Sequence, residues 1–114
     1  MKVQYTFKHL DHSDALEEYC QEQLNEISRF LLKDYAGHVS FSKRLKEFCV
    51  EITVLTHQKP FRSKSFHYDV YSAVDEAISK LEKQFIKMRK IMTHHKKPSL
   101  DKSKRWKDEN EDAA

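Results

Sequence analysis

The sequence is poor in residues that break regular structure, with one glycine and two prolines among 114 residues. That excludes a collagen-like or loop-dominated chain and favours regular elements joined by short connections. Cysteine is equally sparse. Cys20 and Cys49 belong to no spaced metal motif and are expected as reduced thiols. No stretch approaches the ~18 uninterrupted apolar residues of a membrane span. The opening MKVQYTFKHLD alternates polar and apolar and lacks a secretory apolar segment. A cytoplasmic protein without membrane association is therefore expected. Reaction machinery is also missing. There is no serine in a glycine-flanked elbow, no glycine-rich phosphate loop and no evident carboxylate pair. His94 and His95 lack a Cys or acidic partner at ligand spacing, and His9 and His12 flank a turn without a third ligand. The expectation is no enzyme, no metal, no cofactor and no small-molecule substrate.

What the chain does have is charge, unevenly placed. Residues 1–60 carry 8 Lys+Arg and 9 Asp+Glu, residues 61–107 carry 13 and 5, and the ending DENEDAA carries 4 acids and no base. The overall +3 thus hides a basic second half with an acidic tip. That distribution points to a polyanionic partner and a modulating tail.

The elements are legible from periodicity. KVQYTFK (2–8) alternates as a half-buried strand. Ser13 or Asp14 caps a helix from 14 to about 34, with Glu17 placed as in a capping box. Cys20 falls on its apolar face and is expected to be a packed structural thiol. Gly37 suits the helix exit. HVSFSK and EFCVEITVLTH (47–57) alternate as strands joined by the short RLKE, a hairpin. FRSKSFH (61–67) alternates again, with Phe61, Ser63 and Ser65 on one side and Arg62, Lys64 and Phe66 on the other. The small inward serines leave room for a helix to approach. That helix follows after Asp69, a plausible N-cap, with Val70, Ala73, Val74, Ala77, Ile78, Leu81, Phe85 and Met88 as its apolar stripe. The β-α-β-β-β-α order predicts an α+β two-layer sandwich, a four-stranded sheet with two helices packed on one face. Residues 1–92 form the expected domain. Residues 93–114 are polar and charge-segregated, and read as a flexible tail. Trp106 in that tail either stacks on a base or protein pocket, or is simply solvated.

The last helix poses the functional question. In KLEKQFIKMRK, Lys80, Lys83, Lys87 and Lys90 recur at helical spacing. Lys83, Lys87 and Lys90 lie roughly 120–180° around from the apolar stripe, with Lys80 at the flank. One reading is an ordinary solvated face, with Glu76 pairing to Lys80. The other is a phosphate-binding strip, extended by Arg89, Lys96 and Lys97, with Arg62 and Lys64 on the preceding strand but on the sheet face away from the helix. Such a spread suits a folded RNA better than one groove of DNA.

The run Asp69, Val70, Tyr71, Ser72, Ala73, Val74, Asp75, followed by Lys80 to Gln84, resembles the signature of the ribosome hibernation promoting factor family, which includes the ribosome-associated inhibitor A proteins. The resemblance covers about residues 1–92. The element order alone is shared with double-stranded RNA-binding domains. The resemblance implies a non-enzymatic protein that binds the small ribosomal subunit and its RNA in the decoding region. It would block mRNA and tRNA sterically during stress or stationary phase, and be a monomer off the ribosome. It further implies RNA contact by Lys80, Lys83, Lys87, Arg89 and Lys90, and by Arg29 late in the first helix. Family members often carry more basic residues on that first helix, where this chain has Gln23 and Glu26. About 22 residues follow the last helix, too few for the second domain of long members, and their acidic tip resembles the inhibitor A type. Two other classes stay open: a general RNA-binding module of the same fold, which would bind free duplex RNA as well as ribosomes, and a protein-interaction regulator, whose complex would survive nuclease.

Overall fold

Strict alternation in KVQYTFK produces strand β1, Lys2–Lys8, with Val3, Tyr5 and Phe7 packed against the core. The computed structural model describes residues 2–31, 35–56 and 59–96, with side chains described through residue 90. Helix α1 spans Asp14–Ile27 and is capped by Ser13, whose hydroxyl accepts the Leu16 N–H at 3.2 Å. The expected Asp14–Glu17 capping box is not formed. Glu17 lies four residues after the cap, and its carboxylate meets His12 Nε2 at 2.7 Å instead.

α1 also ends well before residue 34. The Ser28 hydroxyl donates to the Asn25 carbonyl at 2.8 Å, a local bond that competes with helix propagation. The chain tightens into a 3-10 turn, Ser28–Phe30, and becomes extended at Leu31. Phe30 and Leu31 still pack on the core, so their apolar spacing survives without the helix.

Strand β2 is Ala36–Arg44, β3 is Glu47–Leu55 and β4 is Pro60–His67. Gly37 is not a helix exit. It lies inside β2, opposite Val3 and Val54, without a positive φ. The left-handed positions among the described residues are His9 and Leu45. Leu45 makes the β2–β3 hairpin turn and is 94% exposed. The sheet order is β1-β2-β3-β4, with β1 parallel to β2 and the other pairs antiparallel. A parallel neighbour needs a crossover connection, and α1 supplies it.

Helix α2 spans Val70–Lys96, four residues beyond the point where apolar periodicity stops. Both helices cover one sheet face, burying Leu24, Val39, Phe41, Ile52, Leu81 and Phe85. The expected close approach of α2 to β4 is present, and it carries hydrogen bonds. Ser63 donates to the Ala77 carbonyl at 2.9 Å, and Ser65 donates to the Ala73 carbonyl. Ala73 and Ala77 are themselves fully buried, so nothing bulky separates helix from strand. Cys20 is fully buried, and burial pushes its thiol up to about 12, as suits an inert structural cysteine.

Asp69 caps α2 by accepting the Ser72 hydroxyl at 2.9 Å and the Ser72 N–H at 3.0 Å. These two bonds, the hydroxyl first, hold its carboxyl below the usual range. A depressed folded value means that the cap's contribution is complete above the ordinary Asp pKa of about 4 and is lost as pH falls through the folded value. Denaturant titrations from pH 5 to 2 should therefore show a shallower loss of stability for Asp69→Asn than for the parent chain, because asparagine still caps but does not titrate. Identical pH slopes would assign the acid sensitivity to other carboxylates.

Candidate RNA-binding surface

The solvent face of α2 is built by the helix itself. Burial of Leu81 and Phe85 turns Lys83, Lys87 and Lys90 outward, and all three are exposed. Among the described residues none of these three lysines is ion-paired with a carboxylate. The predicted Glu76–Lys80 helix pair is also absent. Lys80 instead reaches over the sheet edge and donates to the Lys64 carbonyl at 2.8 Å, while Gln84 donates to the Arg62 carbonyl at 2.8 Å. β4 is an edge strand, so these side chains occupy acceptors that would otherwise invite another strand. Lys80 thus has a structural bond that sequence spacing could not reveal, and two of its three ammonium protons remain for other acceptors.

Arg29 lies in the 3-10 turn that packs against α2. It donates to the Glu26 carbonyl at 3.2 Å and sits over the Phe30 ring at 4.9 Å, with its side chain exposed. Arg89 is exposed on α2 beside the lysines. Arg62 and Lys64 are not brought into the same face. Ser63 and Ser65 point to the helices, so Arg62 and Lys64 project from the opposite, open side of the sheet. Lys96 ends α2, and Lys97, Trp106 and the acidic tip lie outside the described residues.

A feature of α1 stands beside the Gln23 and Glu26 departures. Asp14, Glu17, Glu18, Glu22 and Glu26 all lie on it, and Asp14–Ile27 contains no lysine or arginine. The count was available in the sequence, once the helix bounds were fixed. The helix layer is therefore divided, with an acidic α1 beside an α2 that is basic along its second half. The two helices are pinned where α2 begins. The Tyr19 hydroxyl donates to Asp75, which pushes the phenol up to about 12, and the Tyr19 and Tyr71 rings meet edge-on at 5.1 Å.

His12, Asp14 and Glu17 do come together, with ligand atoms within 4.8 Å of one another, so His12 has two acidic neighbours that sequence reasoning missed. The cluster is largely solvent-exposed, and the pairing of His12 with both carboxylates accounts for it. No helix among the described residues is long and apolar enough to cross a membrane.

These elements define a two-layer α+β domain in which a mixed sheet carries two helices on one face. The chain belongs to the sigma 54 modulation protein / S30EA ribosomal protein family, whose model matches residues 3–93. It is 27% identical over 108 residues to the ribosome-associated factor Y of Haemophilus influenzae, covering 95% of this chain and 96% of that protein. It is 26% identical over 87 residues to a ribosome hibernation promoting factor of Azotobacter vinelandii, covering 76% and 81%. Among solved structures, the Thermus thermophilus Protein Y N-terminal domain superposes with a TM-score of 0.72 at 25% identity, over 77% of this chain and 99% of that one. A ribosomal subunit interface protein from Coxiella burnetii gives 0.71 at 26% identity, over 78% and 98%.

Proposed function

We propose that this chain is a cytoplasmic, non-enzymatic ribosome hibernation factor that binds small-subunit ribosomal RNA in the decoding region. There it excludes mRNA and tRNA sterically during stress or stationary phase. The observation that carries the reading is the exposed row of Lys83, Lys87 and Lys90 on α2, free of carboxylate partners among the described residues. A row of ammonium groups held by a buried helix face gains affinity from phosphate by releasing condensed counterions. The similarity to ribosome-associated factors supports the ribosome as the partner. The divided helix layer supports an oriented docking, with α2 toward RNA and the acidic α1 turned away. The domain is proposed as residues 1–92 with a separate charged tail, and as a monomer off the ribosome.

Sucrose-gradient sedimentation tests this. The protein is expected to travel with small subunits, to lose binding steeply as salt rises, and to compete with mRNA or initiator tRNA. Ribosomes that sediment free of protein at low salt would end the proposal. Equal affinity for free duplex RNA would shift it to a general RNA-binding module.

A further inference from the structure

The open face of the sheet carries a second set of cations that the α2 surface does not use. Across the register, Lys8, Ser42, Cys49 and Phe66 form one row, and Thr6, Ser40, Glu51 and Lys64 form the next. Arg44 stands two residues beyond Ser42 on the same side of β2. All of these residues except Thr6 line a shallow cavity of about 170 Å³. Lys8, Arg44 and Lys64 are exposed at its rim. Among the described residues, none of the three is paired with a carboxylate. Even Lys64 and Glu51, directly opposite each other across β3 and β4, form no ion pair. Lys64 lies instead over the Phe66 ring, 5.7 Å from its centroid. Phe66 is 47% exposed, an aromatic ring on edge strand β4 with the Lys64 ammonium over it and half of its surface open to solvent.

We infer that this face is a second RNA-binding site, one that takes an unpaired nucleotide of a single-stranded segment. The inference rests on the reading of the chain as an RNA-binding ribosome factor and adds a second side to it. Charge complementarity places phosphates at the rim, on Lys8, Arg44 and Lys64. Phe66 supplies a stacking surface, which requires a base released from its duplex. Glu51 repels phosphate from the centre and leaves a carboxylate that accepts hydrogen bonds there, as from the amino group of cytosine. Ser40 and Ser42 add hydroxyls able to meet a base edge or a 2′-hydroxyl. An acidic peptide fits less well, because it would bring carboxylates against Glu51 and offer Phe66 no flat partner. With cations on α2 and on the opposite sheet face, the domain contacts RNA from both sides, as a wedge lodged between two strands does.

The test uses the full chain and two ligands, a fluorescent single-stranded cytidine-containing oligoribonucleotide and purified ribosomes. Phe66→Ala should weaken oligonucleotide binding about 5- to 150-fold, the range for losing one base stack. Lys8→Glu with Arg44→Glu should flatten the slope of log affinity against log salt by about 1.4, for two single-strand phosphate contacts. All three side chains are exposed, so thermal melting of these variants should match the parent. A photo-crosslinking benzophenone residue placed at position 66 should join RNA in the ribosome complex. Oligonucleotide affinity and salt slope unchanged in both variants would overturn the inference. So would crosslinks confined to a ribosomal protein or to the chain's own tail. Ribosome binding that persists in these variants and vanishes when the α2 lysines are replaced would sink the sheet site and leave the proposed function intact. Oligonucleotide binding that needs Phe66, in a chain that never binds ribosomes, would do the reverse.

Discussion

Replacing Lys83, Lys87 and Lys90 together by glutamate should lower ribosome affinity by two to three orders of magnitude at about 0.1 M salt. Each phosphate contact contributes roughly 0.7–0.9 to the slope of log affinity against log salt, so three contribute about 2–3. At a tenfold dilution from the 1 M reference, that slope is itself the number of decades lost. The glutamates also add direct repulsion from phosphate. The triple glutamine variant separates these effects, because it removes the contacts without reversing the charge. It should show the same reduction in salt slope with a smaller loss of affinity. The three side chains are exposed, so circular dichroism and melting should show a folded domain in both variants. A folded triple variant that co-sediments with ribosomes like the parent would remove α2 from the binding surface.

The signature that suggested the family turns out to describe how α2 is seated. Asp69 caps the helix through Ser72. Ala73 lets β4 approach, and its carbonyl accepts the Ser65 hydroxyl. Val74 is fully buried, Tyr71 packs on Tyr19, and Asp75 receives the Tyr19 hydroxyl. None of these contacts reaches toward a ligand. They fix the angle and rotation of α2, and the lysines further along inherit their direction from that seating. A motif can therefore identify a binding family while consisting mostly of packing residues.

The strands were readable because each buries one side, and a period of two leaves a plain trace in sequence. The end of α1 was not, because Phe30 and Leu31 face the core in a 3-10 turn and an extended segment as readily as in a helix. Gly37 misled for a related reason. Glycine marks a left-handed position only where backbone geometry demands one, and here His9 and Leu45 take those positions instead. Lys80 was legible as a helix-face residue but not as a cap on an edge strand. Its acceptor is sixteen residues away and exposed only because β4 ends the sheet. Contacts of this kind depend on topology, which local spacing does not encode. The separation of Arg62 and Lys64 from the α2 row does follow from alternation, since their neighbours Ser63 and Ser65 face inward.

Phe85→Ala should cost about 3–5 kcal/mol of folding stability, the usual range for deleting a buried phenylalanine. The ring is 1% exposed and meets Phe61 edge-on at 5.0 Å, so few neighbours can relax into the space it leaves. Against a total of about 5–15 kcal/mol for a domain, that is a large fraction. Urea titrations should show the midpoint falling with the slope unchanged, the mark of lost stability without a changed native surface. A loss below about 1 kcal/mol would mean that Phe85 does not fill the core as the structure has it. The position also separates packing from binding, because Phe85 sits between Lys83 and Lys87 on the inward side of the same turns. Phe85→Ala should retain near-parental ribosome affinity wherever the domain remains folded, and lose it in step with unfolding on warming. The lysine variants should do the opposite, remaining folded and failing to bind at every temperature. Phe61→Ala offers a matching check from the sheet side, since it removes the other ring of the same contact. If the two rings stabilise each other, the double variant should cost less than the sum of the singles, with a coupling of about 0.5–1.5 kcal/mol. That coupling would tie the orientation of the lysine row to a single aromatic contact between helix and sheet.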